Sequence, residues 1–120
     1  MLYTLRVEQF SIETVPNTPP GVRILRLSGP FTLTSIWEFQ SKIRAGTEHT
    51  TIVDLTEVPY MDSAALGSVM GLHVSCQRLQ RKYGLVGVSE RMRSLFEVSG
   101  VKGLLVTFPT VDEALHALSN

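Results

Sequence analysis

The chain has 120 residues, of which 43% are hydrophobic and 18% charged, a balance typical of one globular domain and not of a disordered segment. Lysine and arginine together number 11, as do aspartate and glutamate, so the formal net charge is +0. No basic surplus supports binding to nucleic acid or to an acidic membrane, and the single cysteine, Cys76, excludes an intrachain disulfide.

The first part of the chain predicts a hairpin followed by a helix. Residues 6–14 mix apolar and polar side chains at short spacing, which indicates a first strand. The loop at 16–21 contains three prolines and leads to a second strand at 22–27, and its short length favours antiparallel pairing. Apolar side chains then recur every three or four residues over 34–45, which predicts a helix that Gly46 ends.

The remaining chain alternates strands with helices. We predict strands at 51–55, 85–88 and 104–108, and helices at 63–82, at 90–98 and after Thr110. Ser89 and Thr110 are expected to cap the helices that follow them. The order after the hairpin is therefore α-β-α-β-α-β-α. This order predicts an α/β fold in a single domain over residues 1–120, with a mixed, mostly parallel sheet of about five strands and four helices packed on it.

The most informative segment is Asp-Ser-Ala-Ala-Leu-Gly at 62–67, where a predicted strand leads into the longest helix. Ser63 is expected at the start of that helix, close to backbone N–H groups that lack intrahelical partners. A phosphate carried by Ser63 would be stabilised there. Two interpretations stay open: the hydroxyl is a regulatory switch, or it is a simple N-cap.

The long helix also has a wide apolar arc. A stripe expected to face the sheet contains Ala65, Val69, Leu72, Cys76 and Leu79. Beside Ser63 lies a second apolar line, formed by Leu66, Met70 and Val74, next to a line of small residues (Ala64, Ser68, Gly71 and Ser75). The extra width has two explanations: contact with another helix of the same domain, or a docking surface around Ser63 on which Gly67 and Gly71 permit close approach.

The sequence offers little for catalysis. It has no Gly-x-Ser-x-Gly elbow, phosphate-binding loop or dinucleotide fingerprint, and its three histidines fall on different predicted elements. His73 would lie roughly 15 Å along the helix axis from Ser63, too far to act as its base. Asp54 and Asp62 alone are a weak signal for a cation. We therefore expect no catalytic residue, no metal and no cofactor.

The sequence also indicates where the protein works. We find neither a signal peptide at the N-terminus nor an apolar run approaching the roughly 18–20 residues of a membrane-spanning helix. The protein is expected to be cytoplasmic, without nucleic-acid or stable membrane contact, and the sequence leaves its oligomeric state open.

These residues resemble the STAS domain of anti-sigma factor antagonists, with a similarity that covers 22–118. Ile52-Val53-Asp54-Leu55 and Tyr60-Met61-Asp62-Ser63-Ala64-Ala65-Leu66-Gly67 are similar to the family's strand and its Asp-Ser-Ser-Gly-Leu-Gly signature. The segments 93–100 and 110–115 resemble its third and fourth helices. The chain departs from the family at Ala64 and Ala65, where the signature has Ser-Gly, and at Thr32, where the family has an aspartate.

The resemblance implies a phosphorylation switch at Ser63. The unmodified antagonist would bind an anti-sigma factor that is also a serine kinase, phosphorylation would abolish binding, and a phosphatase would restore it. The expected contact residues are Asp62, Ser63, Ala64, Leu66, Gly67, Met70, Gly71 and Val74. Two alternatives stay open: a STAS scaffold or accessory subunit of a transport complex in which Ser63 is only a cap, and a small enzyme or ligand-binding domain.

Overall fold

The computed structural model describes residues 9–119, so positions 6–8 of the predicted first strand lie outside the described residues. The elements, in chain order, are β1 (Ser11–Thr14), β2 (Val22–Ser28), α1 (Ile36–Ala45), β3 (Thr50–Glu57), α2 (Ser63–Leu79), β4 (Lys82–Val86), α3 (Glu90–Val98), β5 (Thr107–Phe108) and α4 (Val111–Ala117).

The five strands form one sheet in the order β1-β2-β3-β4-β5. β1 pairs antiparallel with β2, and every later pair is parallel, which confirms the predicted mixed, mostly parallel α/β sheet with four helices. Val22, Thr50 and Lys82 are in register at the beginnings of β2, β3 and β4. The helices that return the chain to these beginnings therefore end at one edge of the sheet and begin at the other.

Helices cover both faces of the sheet. On one face the larger core cluster joins β-strand residues such as Val53 and Leu85 to Phe39 of α1, Val69 of α2 and Phe96 of α3. On the other face a smaller cluster packs Ala114 of α4 against the strands, its buried strand residues being Ile24, Ile52 and Val86. All residues of β3 from 50 to 55 are buried, which confirms the predicted central strand covered on both sides.

The helix caps follow the sequence at several points. The Ser89 hydroxyl accepts the Met92 N–H at 3.2 Å, and the Thr110 hydroxyl accepts the Glu113 N–H at 3.1 Å, so both predicted caps are confirmed. Gly46 ends α1 as predicted. Ser35 precedes α1 without capping it, because its hydroxyl instead donates to the Pro30 carbonyl at 3.0 Å.

The predicted boundary between α2 and β4 is wrong by several residues. α2 ends at Leu79 and not at Lys82, because Gln80 takes a left-handed conformation with φ 54° and Arg81 N–H closes the end on the Cys76 carbonyl at 2.8 Å. β4 then begins at Lys82 instead of residue 85. Gly84, just beyond the predicted helix end, lies within β4, where a Cβ would come 2.8 Å from Phe108 Cε2.

The last strand is also shorter than expected. The prediction gave 104–108, whereas β5 contains only Thr107–Phe108. Leu104 and Leu105 instead belong to a turn, in which both of their N–H groups donate to the Val101 carbonyl. Leu105 is buried in the main core, which accounts for the apolar pattern that suggested a longer strand.

Candidate functional site

The loop between β3 and α2 is fixed at the edge of the sheet where the parallel strands end. Phe31 N–H donates to the Tyr60 carbonyl at 3.1 Å, and Asp62 N–H donates to the Phe31 carbonyl at 3.2 Å. These bonds join the loop 58–62 to the segment that follows β2. These backbone hydrogen bonds therefore fix the position at which α2 begins.

Asp62 is the N-cap of α2. One oxygen of its carboxylate, Oδ1, accepts the Ala65 N–H at 2.9 Å, and the other, Oδ2, accepts the Leu33 N–H at 2.9 Å. The same side chain therefore caps one helix and holds the segment that leads into α1. The interpretation of Ser63 as the cap is wrong, because the preceding residue already performs that role.

Ser63 is the first helical residue of α2 and is exposed. Within residues 9–119 its hydroxyl makes no hydrogen bond to another group of the protein. The N–H groups of the first helical turn point toward this end of α2, and helix geometry gives those of Ser63 and Ala64 no intrahelical acceptor. The hydroxyl is therefore accessible from solvent without unfolding of the helix.

The face of α2 turned away from the sheet is almost free of charge. Ser63, Gly67, Gly71 and Val74 are exposed and Met70 is half-buried, and we call these five residues the α2 outer face. The 17 residues of α2 include no aspartate, glutamate or lysine, and Arg78, near the end of the helix, is their single arginine. A solvated helix normally carries charged side chains on this face, so its composition is that of a contact surface.

Not every residue of the predicted contact set lies on that face. Asp62 and Ala64 are half-buried at its edge. Leu66 is a correction: its side chain is only 5% exposed and belongs to the main core. Leu79 is corrected in the opposite sense, because it was placed on the sheet-facing stripe and is exposed where α2 ends, whereas the other four stripe residues are buried.

Gly67 and Gly71 have no packing reason within the described part of the chain. A Cβ built on either would meet nothing within 4 Å. Glycine inside a helix costs roughly 0.5–1 kcal/mol relative to alanine, so the fold alone gains nothing from these two positions. Ser68 is buried in the groove beside α1, which Gly71 also lines, but no close contact within the domain requires glycine at position 67 or 71.

Two contact candidates escaped the sequence analysis. Leu33 is 63% exposed and lies beside the start of α2, and Trp37, the chain's only tryptophan, is 72% exposed in the first turn of α1. The Leu33 amide is the one bound by Asp62. For Trp37 the available signal was its place in the helical repeat, since it directly follows Ile36, which packs toward the core with Phe39 and Ile43.

The remaining polar candidates have structural partners. The buried His73 ring places Nδ1 2.7 Å from the Tyr83 hydroxyl, which also accepts the Val106 N–H at 3.1 Å. Burial raises the pKa of the Tyr83 phenol and of the Cys76 thiol. Asp54 accepts the N–H and hydroxyl of Thr56 and does not join Asp62. Over residues 9–119, no group of three or more metal-ligating side chains comes together.

Comparison with known proteins decides the family. Residues 13–114 match the family model described as the STAS domain. The chain belongs to the STAS-domain family. An anti-sigma-B factor antagonist of Staphylococcus epidermidis is 32% identical to this STAS protein over 75 residues, which is 62% of this chain and 69% of the relative.

A second relative and a solved structure agree with this assignment. An anti-sigma-B factor antagonist of Listeria monocytogenes is 42% identical over 53 residues, 44% of this chain and 46% of the relative, so the match spans about half of that relative's length. SpoIIAA of Bacillus shares the fold. Its unphosphorylated form matches with a TM-score of 0.73 at 22% identity over 92% of this chain and 96% of SpoIIAA. Its phosphorylated form matches with a TM-score of 0.67 at 23% identity, over 91% of this chain and 98% of SpoIIAA.

No helix of the described residues is both long enough and apolar enough to cross a membrane.

Proposed function

We propose that this STAS protein is a cytoplasmic anti-sigma factor antagonist that binds its anti-sigma factor in the unphosphorylated form and releases it when Ser63 is phosphorylated. The anti-sigma factor would itself be the serine kinase, and a phosphatase would restore the binding form. One observation carries the proposal: an exposed serine, not used as a cap, stands at the end of an uncharged helix face. The anti-sigma-B factor antagonists among its relatives support the class of partner.

The α2 outer face gives the partner a shallow, apolar surface. The exposed glycines allow a partner backbone to approach the helix more closely than any side chain would, and Val74 and Met70 supply apolar contact area. We include Leu33 and Trp37 in the contact, because both are large, apolar and exposed and the Leu33 N–H is bound by Asp62. Tryptophan is among the residue types that most often dominate binding energy.

Phosphorylation would act on this surface through charge. A phosphate adds about −1.5 to −2 charges at pH 7, at a position that the complex would cover. The neighbouring Asp62 carboxylate already accepts the Ala65 N–H, so part of the cationic end of α2 is occupied and two anionic groups would stand side by side. Burying the phosphate unpaired is costly, so the complex should dissociate. The fold should persist, because the Ser63 side chain is exposed.

Phosphorylation is tested with the serine-kinase anti-sigma factor of the source organism and ATP. Intact-mass spectrometry should show one added phosphate on the native chain and none on Ser63→Ala. The Ser94→Ala variant, which changes an exposed serine of α3, is the matched control and should accept phosphate like the native chain.

Binding of each variant to the same anti-sigma factor is then measured by isothermal titration calorimetry. Ser63→Ala and Ser94→Ala should bind as the native chain does, and Ser63→Asp should bind at least tenfold more weakly. A partner that binds Ser63→Asp unchanged, together with no phosphate on the native chain, would contradict the switch. That result would favour a scaffold or transport-accessory STAS module.

A further inference from the structure

The neutral net charge of the chain conceals a local excess of basic side chains at one end of the fold. The end that carries Ser63 has charges of both signs, since Glu90 shares the first turn of α3 with Arg91 and Arg93. At the other end, where α1 and α2 end and β2 and β4 begin, the basic residues are Arg23, Lys42, Arg44, Arg78, Arg81 and Lys82. The absence of a basic surplus therefore does not exclude a local site for an anion.

A pocket of about 180 Å³ lies at the basic end, between the last turns of α1 and α2. Its lining includes four arginines, Arg23, Arg44, Arg78 and Arg81, against one carboxylate, that of Glu48. The hydroxyls of Thr51 and Ser75 and several apolar side chains complete the walls. The carboxyl-terminal dipoles of the two helices, each equivalent to about −0.5 charge, offset part of the positive charge, and Glu48 offsets one more unit, so the four arginines leave the lining net positive.

Arg23 is the arginine whose side chain is fixed within the pocket, because it is only 8% exposed and is hydrogen-bonded by several protein groups. Its Nη1 donates to the Lys42 carbonyl at 2.7 Å, and its Nη2 donates to the Thr51 hydroxyl at 3.1 Å. Glu48 Oε1 lies 3.6 Å from Arg23 Nε, and among the described residues this buried oxygen has no hydrogen-bond partner. One carboxylate pairs with Arg23, and Arg44, Arg78 and Arg81 line the same pocket.

We propose that this pocket binds a small phosphate-bearing molecule. Guanidinium groups match the geometry of phosphate oxygens and can donate two hydrogen bonds to each group, which makes clustered arginines a better fit to phosphate than to a monovalent anion. The volume suits a compact ligand with a short apolar part. Arg78 lies 15 residues after Ser63, roughly 22 Å along α2, so the inference does not rest on the proposed switch.

The test uses inorganic pyrophosphate as the probe, titrated calorimetrically into the native chain at low ionic strength. We expect saturable binding of one equivalent, weakened about tenfold by Arg78→Gln and by Arg81→Gln, because each removes a charge-assisted contact. Glu48→Gln should tighten binding, because it removes the one carboxylate of the pocket. Arg93→Gln, the same change on an exposed arginine of α3, should leave it unaltered, and thermal melts should show all four variants folded.

Three outcomes would overturn the proposal. The first is the absence of saturable binding. The second is an equal loss in Arg93→Gln, which would mean that only overall charge matters. The third is cosedimentation with phosphatidylserine vesicles, lost in Arg78→Gln and Arg81→Gln, without pyrophosphate binding, which would replace the small ligand with a membrane surface.

Discussion

Removing the Asp62 carboxylate should destabilise the fold far more than removing the neighbouring hydroxyl. Asp62→Ala deletes the bond to the Ala65 N–H, an N-cap interaction typically worth about 1 kcal/mol. It also deletes the bond to the Leu33 N–H, a charge-assisted interaction worth about 1.5 kcal/mol. The two together predict a loss of about 2–3 kcal/mol in the free energy of unfolding. Ser63→Ala, which removes no hydrogen bond to a described residue, should cost less than about 0.5 kcal/mol.

Urea unfolding followed by circular dichroism measures both changes. Thr110→Ala is the matched control, since it removes a single cap bond, to Glu113, and should cost about 1 kcal/mol. A loss of unfolding free energy in Asp62→Ala no greater than that in Thr110→Ala would contradict this prediction, as would a loss of 1 kcal/mol or more in Ser63→Ala. The second result would return Ser63 to a capping role and remove the main support for the switch.

Three further measurements test other parts of the structure. Gly71→Ala should raise the free energy of unfolding by about 0.5–1 kcal/mol and weaken partner binding. Gly87→Ala should instead lower the free energy of unfolding, because Gly87 has φ +74° and a Cβ there would clash with Thr56. Tyr83→Phe should cost about 1–3 kcal/mol in urea unfolding by leaving the buried partners of the hydroxyl unpaired. Burial raises the pKa of Cys76 and of Tyr83, so with rising pH the unfolded chain loses these protons before the folded chain does. The urea midpoint of unfolding should therefore fall as pH rises above about 8.5, and it should fall less steeply in Cys76→Ala.

The sequence predicted the strand and helix order because each element carries its own periodic pattern and most helices carry a visible cap. It misplaced the end of α2, which was predicted at residue 82 and lies at Leu79. The left-handed residue is in fact Gln80, and the pairing of β4 with β3 decides where the strand begins. Such pairing is a tertiary interaction, which local patterns do not encode.

Of the candidate site, the sequence placed Ser63 at the start of the long helix, which the structure confirms. Aspartate and serine are both good N-caps, so the sequence alone could not assign the cap to Asp62 and leave Ser63 unbonded. Leu66 was misplaced because it lies at the margin of the buried arc, where a small rotation of the helix decides burial. Trp37 was missed because an isolated large apolar residue in an amphipathic helix is normally assigned to the core.

The two bonds of the Asp62 carboxylate tie the segment that leads into α1 to the first turn of α2. The backbone that carries Ser63 is thus held in place before any partner arrives. We expect association to require little ordering of the chain, so that its rate is governed by encounter rather than by rearrangement. For the same reason, the whole effect of an added charge should appear in the lifetime of the complex instead of being absorbed by local movement.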